Sequence, residues 1–188
     1  MPSPKLTRRL FWAAEVLLLA GMVAAAAWFS RPEEWRPLAL VGLLLVLALG
    51  GERFTVKTSH GILSASLGVM VLAMGLLGPA PAAACGIAAM IVGAAMRRQT
   101  PADWLAGFVV SGVPTFAGAW VVRALAGDVA GAHSQHLSQS IVFGLIVLGA
   151  VIVLLVLNFV LFALDRRVTQ GRSLPRLVRE LFLPLLPG

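Results

Sequence analysis

Six residues of this largely apolar chain are candidates for one polar cluster at its inner side: Glu15, Arg53, Ser64, Ser66, Ser111 and Asn158. Together they could bind a proton or a small polar ligand. The carboxyl exchanges a proton, the guanidinium neutralises it, and the hydroxyls and amide donate and accept hydrogen bonds. An ionisable group at bilayer depth costs about 2.5 to 3.5 kcal/mol on insertion scales, so Glu15 needs a reason to be there. The first reading is hydrogen bonding between helices, worth about 0.6 kcal/mol per bond, with Glu15 paired to Arg53, Arg97 or Asn158, or protonated. A ligand or proton site is the alternative.

Other chemistry is scarce. His133 and His136 lie three residues apart in "GDVAGAHSQHLSQS", but two imidazoles without further ligands make no metal site. They read as part of a solvated loop, with a pH response through the two imidazoles as the alternative. The single cysteine, Cys85 in "PAAACGIAAM", excludes an internal disulfide and reads as a small buried thiol. The chain has no nucleophile with a matching base, phosphate-cradling glycine loop or pair of catalytic carboxylates, so an enzyme, a cofactor and a metal are not expected.

The elements that must position these groups follow from composition. Of 188 residues, 59% are hydrophobic and 12% charged, and the mean hydropathy is +0.92. Soluble domains are about 25% charged, so a water-exposed globule is excluded. A spanning helix needs about 20 mostly apolar residues. Six segments approach that: Leu10 to Phe29, Leu38 to Gly50, Ile62 to Leu77, Ala80 to Met96, Trp104 to Ala126 and Ile141 to Leu164. The expected fold is therefore an all-α, polytopic membrane protein.

Charge tests that division. With the N-terminus inside, Lys5, Arg8, Arg9, Arg53, Lys57, Arg97, Arg98, Arg166, Arg167, Arg172, Arg176 and Arg179 all fall on the cytoplasmic side. Only Arg31, Arg36 and Arg123 fall outside. That bias is the positive-inside rule, and it places both termini in the cytoplasm. It also accounts for the formal charge of +7 without nucleic acid. The tryptophans agree: Trp12 and Trp104 mark inner ends, and Trp28, Trp35 and Trp120 mark outer ends. The first span competes with a cleaved signal peptide, but the inside count needs it retained. Glu15, Ser64, Ser66, Ser111 and Asn158 all fall in the cytoplasmic half, which suggests one inner polar pocket completed by Arg53.

Small residues four apart mark faces where helices approach closely in lipid. Ala20 and Ala24 form such a pair, as do Ala82 with Gly86 and Ala89 with Gly93, and Gly107, Ser111 and Thr115 continue the pattern. Pro114 should kink the fifth span and free a carbonyl that needs a neighbouring partner. Phe54 and Val56 alternate with Arg53, Thr55 and Lys57, as in an extended interfacial segment. After residue 165 the chain turns basic, and Leu174, Leu177, Val178, Leu181, Phe182 and Leu185 follow a helical period suited to the inner membrane surface. Two regions result: a six-helix membrane domain over 1–165 and a basic amphipathic segment over 166–188. The apolar ending at Gly188 leads us to expect a longer protein.

The order of "GERFTVKTSHGILSASLGVMVLAMGLLGPAPAA", "RRQTPADW" and "LVRELFLPLLP" resembles the multi-pass N-terminal membrane-associated sensor (MASE-type) regions of bacterial HD-GYP and GGDEF signalling proteins. The resemblance implies a sensory or anchoring domain in the plasma membrane, passing a signal to a cytoplasmic cyclic-di-GMP output domain in cis. No HD, HD-GYP or GGDEF sequence occurs in the chain, so no catalytic role carries over. Expected partners are the lipid bilayer, a second copy of the chain and that output domain. The alternatives are a substrate-binding subunit resembling those of energy-coupling-factor transporters, where an outward-facing pocket is expected, and a scaffold without ligand.

Overall fold

The computed structural model describes residues 4–58, 61–126 and 137–170. It is a helical bundle with one small hairpin. In chain order the elements are α1 (Pro4–Phe29), α2 (Pro32–Trp35), α3 (Leu38–Gly51), β1 (Thr55–Thr58), β2 (Gly61–Ser64), α4 (Ser66–Leu76), α5 (Pro79–Met96), α6 (Pro101–Ala126) and α7 (Leu137–Gln170). Among the described residues, four helices contain stretches long and apolar enough to cross a membrane: Leu6–Phe29, Pro79–Met96, Asp103–Ala126 and Ile141–Val168. By length and composition they point to a membrane protein. The expected second and third spans appear as shorter helices, α3 with 14 residues and α4 with 11.

The third expected span is shortened for a local reason. Ile62 does not begin a helix. Thr55–Thr58 and Gly61–Ser64 pair as antiparallel strands, with Thr55 opposite Ser64 and Val56 opposite Leu63. The extended reading of residues 53–57 was therefore too narrow, because Gly61–Ser64 pairs back onto it. Ser64 ends β2 and Ser66 begins α4. At that corner α3 and α4 nearly touch: a Cβ on Gly51 would lie 2.7 Å from the Ser66 nitrogen.

α5 is the middle of the bundle and packs against α6, α3, α4 and α1. It can be central because it has little side-chain volume. Ala82, Ala83, Cys85, Gly86, Ala89, Gly93 and Ala94 are all buried. Gly86 faces α6 so closely that a Cβ there would lie 3.3 Å from both the Ser111 carbonyl and the Thr115 hydroxyl. Gly107 takes the Met90 side chain in the same interface. Ala119, Val122 and Ala150 then join α6 to α7, while Leu44, Ala73, Met74 and Leu154 fill the space among α3, α4 and α7.

α1 departs from the sequence reading. Ala20 and Ala24 are exposed, and the face α1 turns inward is marked by Glu15 and Met22. At about 100° per residue, Ala20 and Ala24 stand about 140° and 180° around the helix from Glu15, so one helix cannot bury both sets against this bundle. Met22 fills the space beside Gly112 of α6.

The α5 to α6 turn explains how two helices are joined so tightly. Arg98 adopts φ 49°. Its N–H donates to the Ala95 carbonyl at 3.3 Å, and the Gln99 N–H donates to the Ala94 carbonyl at 3.2 Å. That pairing is a Schellman motif, with arginine where glycine is usual. α6 then starts with a capping box: Thr100 Oγ1 donates to Asp103 Oδ2 at 2.6 Å, and the Thr100 N–H donates to the same oxygen at 3.3 Å. Pro101 occupies the first helical position, where its missing N–H costs nothing. A left-handed conformation costs a non-glycine residue about 1 to 2 kcal/mol. Replacing Arg98 with glycine should therefore stabilise the protein by about 1 kcal/mol, read as a rise in unfolding midpoint in detergent, whereas Arg98→Val should lower it.

Candidate functional site

The polar groups singled out in the sequence divide among separate places. At the end of α3, Glu52 is 7% exposed and is the acceptor of a tight group. The Ser66 hydroxyl donates to Glu52 Oε1 at 2.6 Å, and Arg97 Nη2 donates to Oε2 at 3.1 Å. The Ser64 hydroxyl lies 2.9 Å from Oε1 and 3.1 Å from the Gly51 carbonyl. It has one proton to give at a time, and it accepts the Ser66 backbone N–H at 3.2 Å. Gly93 of α5 makes this possible, since a Cβ there would collide with both the Arg97 guanidinium and the Glu52 carboxylate. The β hairpin returns the chain so that Ser64 and Ser66 stand over the end of α3, and α5 brings Arg97 from the other side.

Arg53, the arginine expected in this cluster, is exposed, and its neighbour Glu52 takes the buried place. Sequence reasoning favours Arg53 because positive charge is the usual mark of an inner loop. The signal for Glu52 is its position directly after the apolar run of α3, where an acid can accept from the next helix's first hydroxyl. Arg97 is one of the partners proposed for Glu15, and the structure gives it to Glu52 instead.

Asn158 has a different task. Pro114 carries no N–H, so the carbonyl of Val110, four residues earlier in α6, loses its helical partner. Asn158 Nδ2 of α7 donates to that carbonyl at 3.3 Å. The partner that the proline demanded is therefore an amide side chain from the neighbouring helix. Nearby, the Thr115 hydroxyl donates back to the Ser111 carbonyl at 2.7 Å, so Ser111 enters the network through its backbone.

Glu15 stands apart from both groups. It is 5% exposed on the inward face of α1, and its carboxylate interacts electrostatically with Asp165 of α7. Asp165 interacts in turn with Asp103 of α6 and Arg166 of α7. Acids on α1, α6 and α7 are thus linked electrostatically through Asp165. Asp165 escapes a sequence reading because it follows directly on the apolar run of α7 and reads as the first residue of the aqueous side. Among the described residues no hydrogen bond joins Glu15 or Asn158 to the Glu52 group, so the single inner pocket resolves into a bonded serine-carboxylate corner, a repaired helix and a separate buried acid on α1.

The opposite end of the bundle carries a second, partly buried ion pair. Arg123 Nη1 of α6 donates to Glu34 Oε1 of α2 at 2.8 Å and to the Phe29 carbonyl of α1 at 2.9 Å. Trp120 stacks edge-on to Phe29 with ring centroids 5.5 Å apart, and Arg123 lies over the Trp120 ring. Burial pushes the Glu34 carboxyl above the ordinary carboxylate range, and Arg123 opposes that shift. No sequence pattern marks this pair, because its partners are 89 residues apart.

Cys85 is buried. No group of three or more metal-ligating side chains occurs among the described residues. His133, His136 and the amphipathic stretch from Leu174 to Leu185 lie outside the described residues. Comparison with protein-family models, curated proteins and solved structures finds no match.

Two measurements check these assignments. Asn158→Leu should cost about 0.6 to 1.7 kcal/mol of stability in detergent. In a Pro114→Ala background, where α6 can supply its own donor to Val110, most of that cost should vanish, giving a clear coupling in a double-mutant cycle. Glu52→Gln should cost about 1 to 3 kcal/mol by weakening a charge-assisted buried group, while Arg53→Gln next to it should stay within about 0.5 kcal/mol of the parent.

Proposed function

We propose that this chain is an integral plasma-membrane sensory and anchoring domain that passes a signal to a cytoplasmic output domain in cis. The observation that carries the reading is α7. It is one helix of 34 residues, about 51 Å long at about 1.5 Å per residue, against a hydrocarbon core of about 30 Å. It packs along α6 and also meets α4 and α1. It then continues unbroken through Arg166 and Arg167, so a shift in the bundle would be carried past the membrane by a rigid element. Asp165, where α1, α6 and α7 meet electrostatically, sits on that continuing part.

In this reading α3 and α4 complete a six-crossing arrangement with both termini cytoplasmic. The charge bias supports the orientation. The alternation of ends supports the crossing number, since Glu52 at the end of α3 meets Arg97 at the end of α5, while Glu34 after α1 meets Arg123 near the end of α6. The output is expected to be of the cyclic-di-GMP type, as the resemblance of the sequence suggests. An outward-facing solute pocket, as a transport subunit would need, finds no comparable support.

A chimera tests the idea. Residues 1–170 are joined in continuous helix to a GGDEF domain whose cellular product can be measured, and single alanines are inserted after Val168. Each insertion rotates the fused domain by about 100° relative to the bundle and should change cyclic-di-GMP output several-fold with a helical period. Output that ignores the inserted residues would refute coupling through α7.

A further inference from the structure

Where α1 gives way to α2, α5 begins and α6 stops, the bundle holds a carboxyl with half of its bonding capacity unused. The Glu34 side chain is 10% exposed and that of Arg123 is 20% exposed. Oε1 of Glu34 is engaged by Arg123, whereas Oε2 is buried and has no hydrogen-bond partner among the described residues. The backbone N–H groups of Arg31 and Ala80 approach the carboxylate and, by hydrogen bonding, oppose the rise that burial causes, but neither closes a bond of good geometry on Oε2. The place is shaped around the side chain. Gly78 precedes α5 at φ 108°, and a Cβ there would lie 2.9 Å from Glu34 Cδ.

An ion pair with one satisfied and one orphaned oxygen is poorly compensated, because a buried acceptor without a donor loses its hydration for nothing. The free valence accepts a proton without displacing Arg123 from Oε1. We propose that Glu34 is a proton-binding site through which this end of the bundle responds to pH, with the protonated carboxyl favouring the packing of α2 on α5 and α6. The charged groups that face it are Arg123 from α6 and Arg31 from the link before α2. α5 contributes the Ala80 N–H, and its first turn, Pro79 to Ala82, has no charged side chain. The inference deepens the sensory reading, on which it rests for its biological use, by naming the proton as a ligand.

The sign follows from linkage. Burial raises the Glu34 carboxyl above its ordinary value, so the packed state keeps its proton at a pH where an exposed glutamate has released it. The stability it contributes is full below the ordinary carboxylate value and is lost as pH rises through the raised one. Acidification therefore tightens this corner and alkalinisation loosens it.

The test uses the full chain in lipid nanodiscs, with unfolding midpoint and tryptophan fluorescence followed from about pH 4 to pH 8, since Trp120 lies under Arg123. The expected result is a transition above the ordinary carboxylate range that disappears in Glu34→Gln. Arg123→Gln should move its midpoint upward by about 1 pH unit and Arg123→Lys should move it less, because the cation is what holds the carboxyl down. Titration of other groups, including His133 and His136, cancels in the difference between parent and Glu34→Gln. An unchanged transition in Glu34→Gln would overturn the proposal. If that variant does not fold, a midpoint that stays in place in Arg123→Gln overturns it equally. Because no output domain is needed, failure here is distinct from failure of signalling through α7.

Discussion

In a chain this apolar, backbone groups have no water to turn to, and every interruption of a helix must be repaired from within the protein. Pro114 is such an interruption. The open carbonyl of Val110 can be satisfied only by a polar side chain on a neighbour, and Asn158 supplies it. That bond ties α7 to α6, and Val122 and Ala126 of α6 pack with Ala150 of α7 in the same interface. The proline is tolerable because the asparagine is there, and the asparagine is tolerable in lipid because the proline left it an acceptor. Close approach by α5 adds the second condition. Its alanines and glycines allow α6 near enough for Ser111 and Thr115 to bond within their own helix against a bare surface.

The buried charges at the two ends are treated differently, and the difference is physical. Glu52 has an arginine and a serine hydroxyl donating to its two oxygens, with a second hydroxyl in reach. Such a group is costly to disturb and cheap to keep, so it fixes the corner where α3, the hairpin, α4 and α5 meet. Glu34 has a comparable cation but only one engaged oxygen. It holds its corner less completely. One end of the bundle is thus locked by satisfied bonds, and the other is held by a pair with a remaining valence.

Much of the helical architecture was legible in the sequence, because apolar length and charge bias are summed over many residues and tolerate local error. The buried Cys85 and the need for a partner near Pro114 were legible too, each being the consequence of one residue's chemistry. The polar groups were harder. Their depth could be estimated from position along a helix, but their azimuth could not, and partnership depends on azimuth. Arg53 and Glu52 are adjacent and meet opposite fates, while Ala20 and Ala24 present a plausible small face that this bundle leaves exposed. The hairpin from Thr55 to Ser64 hides its second strand because Ile62 and Leu63 look like the start of an apolar helix. Glu34 with Arg123 could not be read at all, since nothing in a sequence pairs residues so far apart.

The shortness of α3 and α4 has a consequence for the surrounding lipid. At about 21 Å and about 17 Å they fall well short of a hydrocarbon core about 30 Å thick, and they still expose Leu43, Val46, Leu47, Leu72 and Leu76. In the six-crossing arrangement proposed above, the flank they form could be wetted by acyl chains only if the bilayer dimpled beside it, at a fraction of a kcal/mol per ångström of mismatch. That arrangement would give the protein a lopsided thickness preference, deep along α7 and shallow along α3 and α4, so thinner patches of membrane would solvate that flank at lower cost than thicker ones.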